Sequence, residues 1–255
     1  KDSDSTVAWM WHANGGTTTA NTDGSGATIA STIQANQDAG FSIVKTVGTG
    51  NAGTIAHGLG KAPEWIIGKN LDTSGNWVVY HKSLGADSII YLNLTAVSAS
   101  SSDHWGTTEP TSNVFGVKGG GVNVNTNTDN TIFYCWTSIA GYSKFGSYLG
   151  NAGSNGPLIL TGFKPAWVMI KRITSTGEWF ILDRARNNTN TGTKEYLDGD
   201  TTDSKGSLDA GAIDWLSNGF KIKQSSSQIN NGAHIYMAFA EHPFLGDGTN
   251  PCTAV

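Results

Sequence analysis

Two lysines occupy matching positions in the sequence, and each precedes a tryptophan by the same distance. Lys69 stands before Trp77, and Lys171 stands before Trp179. A lysine amine in an apolar pocket can form a Schiff base or bind a phosphate. Its stem can instead pack on an indole, with the ammonium directed to solvent or to a carboxylate. Because the arrangement occurs twice at one hairpin position, we interpret both lysines as structural cation–aromatic pairs.

Glycine-rich loops in the sequence match phosphate-binding patterns only in part. Residues 48–53 read G-x-G-x-x-G. A dinucleotide site needs this pattern between a strand and a helix, where the pyrophosphate meets the helix N-terminus. Pro63 and a further glycine-rich stretch follow instead, and residues 150–156 form a comparable loop. We interpret both segments as flexible loops between strands.

Metal ligands are sparse in the sequence. None of the six histidines stands at metal-ligand spacing from another. Residues 21–25 and the group Asp198, Asp200 and Asp203 are rich in oxygen ligands, as calcium loops are, but neither follows the full twelve-residue pattern. The sequence therefore predicts no cofactor, with calcium at these loops left as an alternative to simple turns.

Glycan hydrolysis needs two carboxylates across a cleft. Asp183 with Glu195 is one conceivable pair, but no pattern in the sequence selects it. The supply of aromatic residues suits sugar binding better, because an indole can stack on a pyranose ring beside Asn or Asp. Most of the nine tryptophans are nevertheless expected in the core, and the sequence predicts no enzyme.

An internal duplication explains why the lysine–tryptophan pair occurs twice. The separation between corresponding residues is constant at 102 positions (162 − 60). Such a register is the mark of a repeated supersecondary unit. The repeated residues are Gly60, Pro63, Trp65, Lys69, Gly75 and Trp77, and then Gly162, Pro165, Trp167, Lys171, Gly177 and Trp179.

Each copy has the pattern of a β-hairpin. Turn clusters at 72–76 and 174–177 separate short aromatic and β-branched runs. Alternation in a strand puts Trp65, Ile67 and Lys69 on one face, and the hairpin places each lysine opposite or diagonal to its tryptophan. Gly60 and Gly162 are expected in tight turns. The stretch from Ala210 to Ser217 is expected to form one short helix or turn, with Asp209 as its cap.

These patterns predict an all-β fold with internally duplicated, β-sandwich-like units of mainly antiparallel short strands. We expect a lead-in segment over residues 1–40, a first repeat over residues 41–140, and a second repeat with a C-terminal tail over residues 141–255.

Composition excludes several classes of partner. Charged residues are only 14% of the chain and the net charge is −4, so a basic surface for nucleic acid is not expected. No apolar run has the length of a membrane span, and no signal-peptide pattern is present. Cys135 and Cys252 could form a pair, but two cysteines say little about the compartment.

Motifs distributed along most of the chain resemble one family of proteins. They include Ala8-Trp9-Met10-Trp11, Asn21-Thr22-Asp23-Gly24, residues 40–44, His57-Gly58-Leu59-Gly60, residues 142–146, residues 162–167 and residues 236–244. As a set, over residues 7–254, they resemble a domain of marine bacteriophage virion proteins that often follows a laminin-G-like domain. His12, where the family pattern has Lys, and residues 44–47 depart from the likeness.

The resemblance implies a function in a virion. The chain is expected to be a C-terminal module of a tail-fibre, spike, capsid-fibre or decoration protein on the particle surface. Its expected partners are other copies of itself, with a trimer favoured by analogy with phage fibres, and other virion proteins. A receptor- or glycan-binding tip is the alternative. No catalytic residue is carried over from the family.

Overall fold

The computed structural model describes residues 8–13, 19–21, 26–101, 103–106, 108–120, 123–201, 206–209, 212–225 and 228–242. Nineteen strands and no helix occur in these ranges. The strands are β1 (Thr19–Asn21), β2 (Ser31–Asn36), β3 (Phe41–Val47), β4 (Gly53–Ala56), β5 (Trp65–Asn70), β6 (Val78–His81), β7 (Ser88–Tyr91), β8 (Ala99–Ser100), β9 (Val114–Val117), β10 (Asn130–Trp136), β11 (Ser143–Asn151), β12 (Leu158–Leu160), β13 (Pro165–Arg172), β14 (Trp179–Asp183), β15 (Lys194–Asp198), β16 (Gly206–Leu208), β17 (Ile213–Leu216), β18 (Gly219–Ile222) and β19 (Asn231–Ala240).

The strands form two large and two small sheets. The eight-stranded sheet has the order β1-β2-β3-β10-β5-β6-β7-β8, and the six-stranded sheet has the order β11-β19-β13-β14-β15-β16. The small sheets are β4-β9 and β12-β18-β17. All pairs between these strands are antiparallel. The predicted all-β, sandwich-like fold with mainly antiparallel short strands is confirmed.

The strand order of the second half repeats that of the first. From β3 outward the first large sheet runs β3-β10-β5-β6-β7-β8, and the second runs β11-β19-β13-β14-β15-β16 in the corresponding chain order. Each half also has a small outer sheet, in which Ile55 pairs with Phe115 and Ile159 pairs with Phe220. This repetition agrees with the duplicated signature, while the limits at residues 40 and 140 stay a prediction.

Alternating side chains divide the interior into three cores. Ile66 faces the first core, under β4 and β9, whereas Trp65 and Ile67 face the opposite side of the sheet. In the second half Val168 faces a second core, and Trp167 faces the side shared with Trp65. The two large sheets therefore pack face to face, and a small sheet covers the outer face of each.

The layer between the large sheets is the central core. Apolar side chains of both halves meet there, and at about 25 cal/mol per Å² their burial is the main term that holds the halves together. Its buried members are Ala13, Phe41, Trp65, Ile67, Val79, Ile90, Trp136, Phe145, Trp167, Met169, Trp179, Ile235, Met237 and Phe239.

The turns that join the strands follow the sequence signals in most places. Residues 72–76 and 174–177 connect β5 to β6 and β13 to β14. Gly60 and Gly162 have φ values of 70° and 87°, in the left-handed region that glycine tolerates. Most of each G-rich segment connects two strands, β3 to β4 and β11 to β12, but Gly53 begins β4 and residues 150–151 end β11.

The prediction of a short helix or turn over residues 210–217 is wrong for residues 213–216. Residues 213–216 form β17, which pairs with β18 through a turn at residues 217–218. Ile213 and Trp215 are buried and alternate with the half-buried Asp214 and Leu216. That period of two belongs to a strand, and pairing with β18 outweighs the local capping signal of Asp209.

The lead-in segment is part of the first large sheet. β2 pairs with β3 along its whole length, and β1 pairs with β2. Further toward the N-terminus, Trp9 and Trp11 pack against the central core. Residues before β3 therefore extend the sheet and help close the layer between the two halves.

Candidate functional site

The repeated tryptophans meet in the central core. The ring centroids of Trp65 and Trp179 are 5.9 Å apart in an edge-to-face arrangement, which suits the quadrupoles of the two rings. Trp11 stands 5.8 Å from Trp167. The tryptophans of the repeated signature are therefore brought together, in a packed apolar layer.

Lys171 lies at the edge of this layer with no solvent exposure. It pairs with Trp179 across the hairpin, and its ammonium is 5.6 Å from the ring centroid. Nζ donates to the carbonyl oxygens of Leu94 and Gly177. Burial lowers the pKa of Lys171 to about 8, against the opposing attraction of Asp200 and Glu178.

Contacts around Lys171 join the two halves of the chain. Trp179 Nε1 donates to the carbonyl of Tyr91 at 2.9 Å, and the Gly177 amide donates to that of Thr95 at 2.9 Å. Ser98 Oγ donates to Ile173 O at 2.8 Å. Residues 91–98 of the first half thus dock on the β13–β14 hairpin of the second. Lys171 therefore links the two halves by hydrogen bonds. Because its amine is buried, a carbonyl substrate cannot reach it.

Lys69 has a different environment from its counterpart. It is half-buried, and its Nζ donates to the Asn70 carbonyl at 2.8 Å. The last residue pair of β5 and β6 is Gly68 with Val78, so Lys69 and Trp77 lie one step beyond the paired strands. The cation–aromatic contact found at Lys171 is therefore specific to the second hairpin among the contacts described.

A buried histidine, His57, follows β4 directly and stabilises the chain there. Leu59 N donates to Nδ1 of His57, and Nε2 of His57 donates to Thr111 O at 3.2 Å. This arrangement requires a neutral ring. Burial lowers the pKa of His57 to about 4, partly offset by the bond to Thr111. In the second half Thr161 takes the same place, because its Oγ1 accepts from Phe163 N.

The loops for which calcium was an alternative lie only partly in the described residues. No group of three or more His, Cys, Asp or Glu side chains that could hold a metal occurs among the described residues. Asp200 Oδ1 accepts from Trp179 N at 3.1 Å. Residues 22–25 and Asp203 lie outside the described residues, and so does Cys252, whereas Cys135 is buried.

Of the carboxylate pair considered for glycan hydrolysis, the Asp183 carboxylate is engaged in stabilising the fold. Asp183 forms an ion pair with Arg186 and also accepts from the Arg186 amide at 2.9 Å. Asn187 Nδ2 bridges the backbone carbonyls of Asp183 and Glu195. These bonds organise the turn after β14.

Two buried asparagines were missed by the sequence analysis. Asn125 Oδ1 accepts from Thr49 N, and its Nδ2 donates to Asn51 O. Asn230 repeats both bonds with Asn151 N and Gly153 O. Each amide therefore anchors one of the G-rich loops. The only sequence signal is that each Asn follows an apolar residue shortly before β10 or β19.

No tryptophan or tyrosine offers an exposed platform for a sugar. Six of the nine tryptophans are buried, as predicted for most of them. Trp9, Trp11 and Trp77 are half-buried, and none of the seven tyrosines is in the exposed class. An exposed Trp or Tyr beside Asn or Asp, expected of a glycan-binding tip, does not occur.

An open groove of about 790 Å³ lies beside β2 and β3. Most of its accessible surface is apolar, but seven of the twelve lining residues carry a hydroxyl or amide group, and Lys45 adds one cation. The polar residues include Thr28, Thr32, Thr49, Asn127, Asn130 and Lys45. Such groups can bind neutral or anionic polar ligands through hydrogen bonds.

The fold and these sites define a class of protein: an all-β protein of two sandwich-like halves packed on a shared aromatic layer. The chain belongs to the family described as a domain of unknown function, DUF7483, whose model matches residues 1–243. No curated protein and no solved structure matches the chain. No helix among the described residues is long and apolar enough to cross a membrane.

Proposed function

We propose that this chain is a non-catalytic structural module of a bacteriophage virion, exposed on the particle as part of a fibre, spike or capsid-decoration protein. The observation that carries the proposal is the central core, which joins the two halves into one block. The side chains best suited to catalysis are those of Lys171, His57 and Asp183. Each of them instead makes hydrogen bonds or an ion pair that stabilises the fold. The phage origin rests on the resemblance of the motifs.

Purified particles provide the direct test. Virions from the source lysate are banded on a density gradient and analysed by quantitative mass spectrometry. Peptides of this chain should co-sediment with the major capsid protein at a fixed copy number. Recovery of the chain only in the soluble fraction would overturn the proposal, and electron microscopy with a specific antibody would show its position.

The groove beside β2 and β3 favours a second proposal, binding of a host-surface glycan. Its hydroxyls and amides match the donors and acceptors of sugar hydroxyls, and Lys45 would favour acidic sugars. A glycan array should give signals that Lys45→Ala and Asn127→Ala both abolish, whereas Lys118→Ala, outside the groove, retains them. Silence on the array together with no adsorption to host cells would dispose of this second role.

A further inference from the structure

The outer edge of β11 differs from the equivalent edge in the first half. β3 is paired on both sides, with β10 and with β2. Its counterpart β11 pairs with β19 alone and ends the six-stranded sheet. No strand in the described part of the chain lies on the other side of β11.

The beginning of that edge is covered by the preceding turn. Phe145 N donates to Ser138 Oγ at 3.2 Å, and Ile139 forms a bridge with Ser143. Phe145 N therefore points away from β19. Because backbone groups alternate along a strand, the amides and carbonyls of Ser147 and Leu149 point the same way. Both side chains are exposed, and that of Leu149 is 72% exposed.

The neighbouring small sheet shows the same difference between the halves. Leu158 and Leu160 of β12 are 50% and 58% exposed. The register of the small sheets makes Thr54 and Ala56 their counterparts. Thr54 is hydrogen-bonded to Thr28 of the lead-in segment, and Ala56 is 3% exposed. The lead-in segment covers this side in the first half, and no described residue does so in the second.

We propose that the edge of β11 pairs antiparallel with β11 of a second copy of this chain. Residues 146–151 contain no charge and no proline, which are two of the devices with which natural edges resist pairing. The other terminal strands described have four residues or fewer, so β11 itself is the longest matching edge that a second copy offers. The inference does not depend on the proposed virion role, and its two-fold dimer replaces the trimer that was expected by analogy with phage fibres.

We choose the register that pairs both free outward residues about a two-fold axis, because the amides of Phe145 and Asn151 on either side already donate to Ser138 and Asn230. Ser147 faces Leu149 of the partner as a hydrogen-bonded pair, Leu149 faces the partner's Ser147, and Tyr148 faces the partner's Tyr148. An isologous contact of this kind forms every bond twice. The two six-stranded sheets become one continuous sheet across the dimer, as in strand addition.

Light scattering after size-exclusion chromatography tests the dimer. The wild-type chain should be a dimer at micromolar concentration. Leu149→Lys places two cations near the axis and should weaken dimerisation by about tenfold or more. Its thermal midpoint should stay within a few degrees of wild type because the side chain is exposed. Leu71→Lys, at an exposed site in the other half, is the matched control and should remain dimeric.

A cysteine pair tests the register. Ser147→Cys with Leu149→Cys, in a Cys252→Ser background, should form a disulfide-linked dimer on mild oxidation, whereas Ser74→Cys should not. A wild-type monomer at all concentrations would overturn the proposal, as would an oligomer that Leu149→Lys leaves intact. Dimerisation only after removal of residues 243–255 would mean that the chain's own tail occupies the edge, which also contradicts it.

Discussion

His57 shows how a titratable side chain can be committed to a single charge state by its neighbours. Nδ1 accepts a hydrogen bond from the Leu59 amide, and Nε2 donates one to the Thr111 carbonyl. Protonation would turn the acceptor into a donor that faces an N–H group. The ring is also buried, so the charged form loses both its hydration and one bond.

Acid should therefore destabilise the protein through His57. Its pKa is about 4 in the folded chain and 6.5 as the ordinary value, so the unfolded chain binds more protons between these values. The free energy of unfolding falls as pH drops through this window, by about 3 kcal/mol for this residue. His57→Thr introduces the residue found at the equivalent position of the second half, Thr161. In this variant the free energy of unfolding should depend less on pH between about 4 and 6.5.

Urea unfolding at pH values from 7 to 4 measures the effect. The exposed His242→Thr variant is the control and should keep the wild-type slope. An unchanged slope in His57→Thr would show that other groups dominate the acid response.

At the scale of the element, each half has a G-rich loop that is anchored by the side-chain amide of one buried asparagine. Asn230 makes bonds with Asn151, Gly153 and Gln224 and has no solvent exposure. Asn230→Ala removes these bonds and leaves buried backbone groups unpaired. We expect a loss of about 2–3 kcal/mol in the free energy of unfolding. Asn155→Ala, at an exposed site in the same loop region, should cost less than about 0.5 kcal/mol.

Equivalent loop positions carry different residues at a positive φ. Gly50 has φ of 68°, and its counterpart Ala152 has φ of 57°. An L side chain in this region costs about 1–2 kcal/mol. Gly50→Ala should therefore lower the thermal midpoint, whereas Ala152→Gly should leave it unchanged or raise it. Equal losses in both variants would contradict the equivalence of the two loops.

The hairpins could be predicted from sequence because their signals are local and repeated. Trp65, Trp167 and the turn glycines mark both hairpins without knowledge of distant residues. Asn125 and Asn230 could not be found, because a lone Asn has the pattern of a turn residue and the loop that each one anchors lies more than seventy positions away. β17 was mistaken for a helix because its stability comes from β18. The groove likewise depends on β2 and β3 coming together.

The central core makes the two halves one cooperative unit at the scale of the molecule. Trp167 contacts Trp9, Trp11 and Phe239. Trp167→Ala should cost about 3–5 kcal/mol, and both halves should unfold together in one urea transition. Fluorescence and far-UV circular dichroism should report the same midpoint. Two separate transitions, with the first half unaffected, would contradict this; the exposed Leu71→Ala is the control.

Because the halves pack through equivalent faces, a polypeptide of half this length would have a large aromatic surface open to water. Such a polypeptide could fold stably only as a homodimer. Joining two copies by the short connection between β10 and β11 removes the dependence on protein concentration. The duplication thus converts an association between molecules into an event within one molecule. The duplication also allows the two packed faces to differ in sequence. Ile67 and Met169, at equivalent positions in the central core, are an example.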